Sequence, residues 1–364
     1  ARAVIDSREV QPGDLFVALP GETADGHDFV ADAVTRGATG LLVARTTDGL
    51  DASSGPSQFV VADPLVALQR IAIAWRAALP STDVIGVTGN VGKTTTKLIA
   101  AAVLGARYRV QASEQNYNNE IGVPLCLLET RPETQRAVIE MGMYTTTEIA
   151  LLCEWTHPRI GVVLNVGPVH LERAGSLETI IAAKRELPEA LPADGHAILN
   201  ADDPDVLAMA SHTRARVWLF GTAEGAELDV RASEVTSHGA DGFEFDLTAG
   251  DRTRRVRVPL PGTHLVSNVL AAATVGLADG MSFDAVWILA AVLASLAAML
   301  GTVAPGAPEP RPSRNQQRYI HPAAVRPGLI LFLALLGYTG FLSFAAVHAR
   351  DVGIGNPGTV FTLL

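Results

Sequence analysis

VIGVTGNVGKTTTKLIAAAVL, residues 84–104, decides how the rest of the chain is read. An apolar run ending at Val87 reads as a buried strand, a glycine-bearing loop follows, and Lys93-Thr94-Thr95 opens a stretch with helical spacing. That succession suits a polyphosphate. Glycines let backbone amides face the phosphates, Lys93 would bridge the β and γ groups, and the Thr94 hydroxyl would hold Mg²⁺. Gly89, Asn90, Val91, Gly92, Lys93, Thr94 and Thr95 are therefore the candidate ATP contacts. The spacing departs from G-x-x-x-x-G-K-[ST], because Val87 stands at the first glycine; T-G-x-x-G-K-T-T remains. The plainer alternative is a glycine-rich turn before an ordinary helix.

The flanking grammar supports the first reading. DVIGVTG (83–89), RAVIEMG (136–142), RIGVVLNVG (159–167), GHAILNAD (195–202) and RVWLFG (216–221) are apolar runs ending in Gly, Asn or Asp. Helical stretches such as TEIALLCEW and SLETIIAAKREL separate several of them. This alternation predicts an α/β fold with a mostly parallel, buried sheet whose ligands collect beyond the strands' carboxyl ends. Residues 225–260 alternate in the manner of antiparallel strands, and PGTHLVSNVLAAATVGLADG turns into a helix. Upstream, GDLFVAL (13–19), DFVADAVTRGA and GLLVA (40–44) predict a small α/β domain over residues 1–80, closed by a helix at 65–79. The central P-loop-type ATPase domain is expected over residues 81–284.

Bulk properties narrow the partners. The net charge of −10 over 364 residues argues against a nucleic-acid binder, while small anions remain open to backbone amides and a few placed cations. The two cysteines, Cys126 and Cys153, form neither a C-x-x-C pair nor a His-flanked cluster, which disfavours a disulfide scaffold or zinc site. No signal peptide is visible at the start, which lacks a Met. Glu140, ending one apolar run, and His170, following another, sit where strand ends would bring them to the phosphates. A carboxylate and an imidazole suit a second divalent ion. Taken singly, Glu140 reads as a solvated cap and His170 as a loop residue.

TGNVGKTTTK, NYNNEIGVP (116–124), IEMGM (139–143), LNVGPVHLERAGSLE (164–178), AAKREL (182–187) and LNADDP (199–204) together resemble the ATP-dependent Mur ligases of peptidoglycan precursor synthesis. DSREVQPGDLFVALPGETADGHDF (6–29) resembles the family's nucleotide-sugar-binding domain. Glu140-Met141-Gly142 makes the likeness strongest to members that add D-alanyl-D-alanine to UDP-MurNAc-tripeptide. The resemblance implies an acyl phosphate formed from ATP, with Lys93, Glu140, His170 and Lys184 as the catalytic set and Thr94, Glu140, His170 and carbamylated Lys184 around the metal. On residue type alone, Lys184 reads as a solvated helix lysine. The likeness further places Asn118 and Asn119 near the substrate, Ser7 and Arg8 against the uridine moiety and Asn268 near adenine. Leu265 stands where the family more often has Asn. A cytoplasmic ligase module is expected.

After Asp284 the composition changes. Ala285–Ala304 and Leu329–Val347 are uncharged over the length of a bilayer helix, and residues 285–364 resemble a fragment of a major facilitator transporter. This predicts two transmembrane helices, inner-membrane association and absence of the Mur ligase carboxyl-terminal domain. The readings left open are an impaired ligase, a membrane-tethered ATP- or precursor-binding protein, a transporter fragment, or a non-functional chimera of two genes.

Overall fold

Parallel strands need a long crossover between them, and the chain supplies one at nearly every step. The computed structural model describes residues 2–21, 24–47, 55–113, 117–168, 176–223, 227–258 and 262–287. Among these, β1 (Ala3–Val4), β2 (Leu15–Val17), β3 (Gly40–Val43) and β4 (Ser57–Val60) pair in chain order, all parallel. Phe16 and Leu41 bury one face of this sheet against Val30 and Ala33 of α1 (Val30–Thr35). On the other face Val17 and Leu42 meet Leu68 of α2 (Pro64–Ala77). Asp63 starts α2 by accepting from the amides of Leu65 and Val66, with Pro64 supplying a first-turn residue that needs no amide partner. Gln69 and Trp75 then tie α2 to the carbonyls of Glu120 and Thr130.

The larger sheet starts with β5 (Asp83–Thr88), which leads through α3 (Lys93–Gly105) to β6 (Val110–Ala112). α4 (Gly122–Glu129), β7 (Arg136–Glu140), α5 (Glu148–Thr156) and β8 (Pro158–Val163) follow. Next come α6 (Leu177–Ala190), β9 (His196–Asn200), α7 (Pro204–Ala208) and β10 (Arg216–Gly221). The described part of the sheet ends with β11 (Val230–Ser237), β12 (Phe243–Ala249) and β13 (Arg252–Val258), and α8 (Leu265–Ala278) covers it. The spatial order is β13-β12-β11-β10-β9-β8-β5-β7-β6. Pairing is parallel from β6 to β11 and antiparallel from β11 to β13, as the alternation in 225–260 predicts.

Strand alternation sorts side chains to two cores. Ile85 and Val87 face Ile99 and Val103 of α3 and Val269 and Leu270 of α8, whereas Val84 and Val163 face the layer of Leu152 and Leu187. Gly86 and Gly161 are register partners on β5 and β8. A Cβ on Gly86 would lie 3.0 Å from Leu187 Cδ1, and one on Gly161 would lie 3.0 Å from Leu187 Cγ. The glycine pair is thus a flat spot in the sheet that admits Leu187 of α6. Leu187 is fully buried one turn after Lys184 and fixes the height of that helix. Leu187→Ala should cost about 2–5 kcal/mol in urea unfolding, because neither glycine can fill the space left.

Topology singles out one crevice. β5 lies between β7 and β8, so the chain leaves β5 for one side of the sheet and later crosses to the other. At such a reversal the connections diverge beyond the carboxyl end of the central strand, leaving an opening there.

The start of the expected membrane segment is packed otherwise than its composition predicts. Val286 is fully buried in the core beneath α8 and within reach of Gly276, and the Trp287 indole donates to the Arg255 carbonyl at 2.8 Å. Ala285 and Trp287 pack against the same core. Apolar residues here cover α8 and β13. The rest of both apolar runs lies outside the described residues. Among the described residues no helix is long and apolar enough to cross a membrane.

Candidate functional site

The loop after β5 enters the crevice and turns into α3 at Gly92, whose φ of 88° and ψ of 0° form a left-handed cap. No side chain caps this helix, so the first-turn amides are directed at the crevice with the positive end of the helix dipole behind them. Two asparagines hold the loop in shape. Asn165, just past β8, accepts from the amides of Asn90 and Val91, both at 2.9 Å, and donates to the Val91 carbonyl. Asn90 in turn donates to the Gly167 carbonyl at 2.9 Å. From α8, buried Asn268 donates to the Gly92 carbonyl at 3.1 Å and to Thr96 Oγ1 at 2.8 Å. A Cβ on Gly92 would stand 2.3 Å from Asn268 Nδ2, so glycine is required there both by backbone angle and by space.

Glu140 ends β7 beside this loop and is only 2% exposed. One carboxylate oxygen accepts from Thr94 Oγ1 and the other from Asn118 Nδ2, each at 2.9 Å. Lys97 Nζ lies 3.5 Å from the oxygen that serves Thr94. Gly142 donates its amide to the Asn118 carbonyl at 2.7 Å, which brings the loop after β7 against the same asparagine. Asn119 starts α4 by accepting from the Gly122 amide at 2.9 Å.

Two lysines edge the opening. Lys93 folds back on its own loop and donates to the Gly89 carbonyl at 2.8 Å. Burial pushes its ammonium below the ordinary lysine range, with Glu140 opposing the shift. Lys184 on α6 is 3% exposed. Burial first, and then the charge of Lys93, bring it down to about 7. A lysine in that range is largely a neutral amine above neutrality, the form that can add CO₂.

One cleft collects Gly89, Asn90, Lys93, Asn118, Asn119 and Lys184, together with Tyr144 and Glu148 from the connection after β7. Thr94 and Glu140 adjoin it through their mutual bond. Thr95 is half-buried and Val91 is exposed at the loop tip. Ser7 and Arg8 lie elsewhere, in a short turn after β1; Ser7 is buried, and exposed Arg8 pairs with Asp6. His170 falls outside the described residues. Lys97 and Asn165 go unmentioned in the sequence reading. Lys97 stands three residues after Thr94, on the same helix face, which was the available signal. Asn165 shows no local pattern, since its partners are more than seventy residues away.

Glu140 and the Thr94 hydroxyl supply the hard oxygen donors that Mg²⁺ prefers, and their adjacency at a helix start fits an ion shared with phosphates. Among the described residues no group of three or more His, Cys, Asp or Glu could hold a metal alone.

A parallel sheet, a glycine-capped helix start at its reversal point and a buried carboxylate bonded to that helix give the architecture of a P-loop-type α/β fold. The comparisons narrow the class. Residues 87–276 match the Mur ligase middle domain, and residues 3–64 match the Mur ligase family, catalytic domain. The chain belongs to the Mur ligase family. It is 41% identical over 281 residues to the UDP-N-acetylmuramoyl-tripeptide--D-alanyl-D-alanine ligase of Synechocystis sp., covering 77% of this chain and 58% of that one. The Escherichia coli enzyme of the same name is 39% identical over 302 residues, covering 82% and 64%. The crystal structure of MurF from Acinetobacter baumannii superposes with a TM-score of 0.70 at 33% identity, covering 79% of this chain and 61% of that one. MurF ligase from Thermotoga maritima in complex with ADP gives 0.67 at 30% identity, covering 79% and 65%. The chain thus spans about three fifths of the length of these relatives.

Proposed function

We propose that this chain carries the nucleotide and muramoyl-precursor sites of an ATP-dependent ligase that adds D-alanyl-D-alanine to UDP-MurNAc-tripeptide. The observation that carries the reading is the convergence of Lys93, Thr94, Glu140 and Asn118 at one helix start in the sheet's crevice. Residues 1–80, through Ser7 and Arg8, take the uridine end of the precursor, and residues 81–284 take ATP, with Asn268, expected near adenine from the resemblance, bracing the phosphate loop instead.

In this reading the terminal carboxylate of the tripeptide attacks the γ-phosphorus of ATP, ADP leaves, and an acyl phosphate forms. The dipeptide amine then attacks the acyl carbon, the C–O bond to phosphate breaks, and the amine gives up its proton. The first-turn amides of α3 bind the phosphate oxygens. Lys93 exchanges its bond to the Gly89 carbonyl for the transferring phosphoryl group, where its charge opposes the charge that develops. Asn118 and Asn119 orient the tripeptide end. Mg²⁺, when bound, screens phosphate charge, and Thr94, Glu140, His170 and carbamylated Lys184 are the residues that would hold it.

The test is direct. With Mg·ATP and the UDP-MurNAc-tripeptide in the presence of hydroxylamine, the chain should yield a hydroxamate of the tripeptide, and Lys93→Met should lower that yield about 10²–10³-fold. Absence of both nucleotide binding and hydroxamate removes the reading.

A further inference from the structure

Lys97 is the most deeply buried charged side chain among the described residues, at 1% exposure, and the ligation chemistry above leaves it without a task. Lysine is almost never buried to that degree unless it is paired. Its ammonium lies 3.5 Å from Glu140 Oε2, an ion-pair distance, and Glu140 is itself 2% exposed. Three groups hold the carboxylate: Thr94 Oγ1 and Lys97 Nζ share Oε2, and Asn118 Nδ2 donates to Oε1. Thr94 and Lys97 are three residues apart on α3, so one rigid helix presents both to the end of β7. Lys97 is not among the residues that line the cleft, and its ammonium lies against Glu140.

We infer that Lys97 is a positioning residue for Glu140. It is a built-in counter-cation that neutralises the buried carboxylate and aims it at the start of α3 before any divalent ion arrives. The inference rests on the proposed role of Glu140 as a metal-holding carboxylate, and it adds a consequence. Without Lys97, the buried charge would have to be compensated by the metal itself, so the fold would depend on divalent ion. With Lys97, the protein holds its site ready in the metal-free state, at the expense of metal affinity, because a neutralised carboxylate attracts a cation less strongly.

The experiment is a double-mutant cycle of Lys97→Met and Glu140→Gln, run by thermal unfolding in EDTA without nucleotide, followed by Mn²⁺ titration read by electron paramagnetic resonance. Breaking a buried pair from one side leaves an uncompensated charge, so Lys97→Met should lower the melting temperature by about 10 °C, and the double variant should recover much of that loss. Millimolar Mn²⁺ should raise the melting temperature of Lys97→Met more than that of the wild type, and Mn²⁺ should bind Lys97→Met about tenfold more tightly. Additive effects in the cycle, or Mn²⁺ affinity no greater in Lys97→Met, would overturn the inference. If Lys97→Met fails to fold while the double variant folds, the charge pairing is supported. If neither folds, the lysine stem serves packing and the inference falls. The cycle contains no nucleotide or precursor, so failure of the ligase reading would appear separately, as a wild type that ignores ATP.

Discussion

Gly92→Ala is expected to lower Mg·ATP affinity by at least about 100-fold and to cost about 3–5 kcal/mol of stability, measured by calorimetric titration and urea unfolding. Two effects add. The φ of 88° at this position is strained for any residue with a Cβ, a penalty of about 1–3 kcal/mol. The new methyl would also fall 2.3 Å from Asn268 Nδ2 and push that side chain off both the Gly92 carbonyl and Thr96. Each lost bond is worth about 1 kcal/mol. The loop amides would then no longer converge on one phosphate. Because the clash is with Asn268, the effects of Gly92→Ala and Asn268→Ala should be less than additive. Strict additivity would mean that Asn268 does not shape the loop.

The second large effect concerns Lys184 and pH. Its ordinary value is 10.5, and in the folded protein it is brought to about 7 by burial and by Lys93. Between those values the unfolded chain holds a proton that the folded protein has released, so stability must rise with pH across that window. The contribution is full above about 10.5, is lost as pH falls to about 7, and changes no further below that. In CO₂-free buffer the slope from this group climbs from about half of 1.4 kcal/mol per pH unit at pH 7 toward the full value above pH 8, roughly 2 kcal/mol between pH 7 and 9. Lys184→Met should flatten that part of the profile. Adding ¹³C-bicarbonate above pH 7 should produce a carbamate carbon signal in the wild type that is missing in Lys184→Met. An unchanged slope in the variant would show that Lys184 is not the titrating group.

Much of this site was legible before any coordinates, for a physical reason. The strands of a two-sided parallel sheet must be apolar throughout, so β5, β7, β8, β9 and β10 stand out as runs, and Glu140 at the end of β7 and Gly89 just after β5 mark the edge where ligands would collect. The loop glycines carry their own signature because backbone close to phosphate excludes a Cβ. β6 is different: three half-buried residues at a sheet edge, with a glutamine in the middle, leave no run to recognise. β4 is short and mostly exposed for the same reason. Asn165 and Asn268 are tertiary facts, since each acts on a loop that its own neighbours in sequence do not touch. Lys97 was hidden by its type, because a helix lysine ordinarily points to water and only the position of Glu140 shows that this one does not. Ala285–Trp287 misled in the opposite sense. Apolar composition marks burial, and here the burial is against α8 and β13.

In the proposed reading the β5–α3 loop binds the phosphates of ATP. A crystal structure of this chain with Mg²⁺ and a non-hydrolysable ATP analogue decides the point. The prediction is that the β and γ phosphates lie against the amides of residues 89–95, with Lys93 Nζ moved from the Gly89 carbonyl to the γ-phosphate and Gly92 still backed by Asn268. An analogue bound at another site, or a loop with Lys93 still on the Gly89 carbonyl beside a saturating nucleotide, would contradict it.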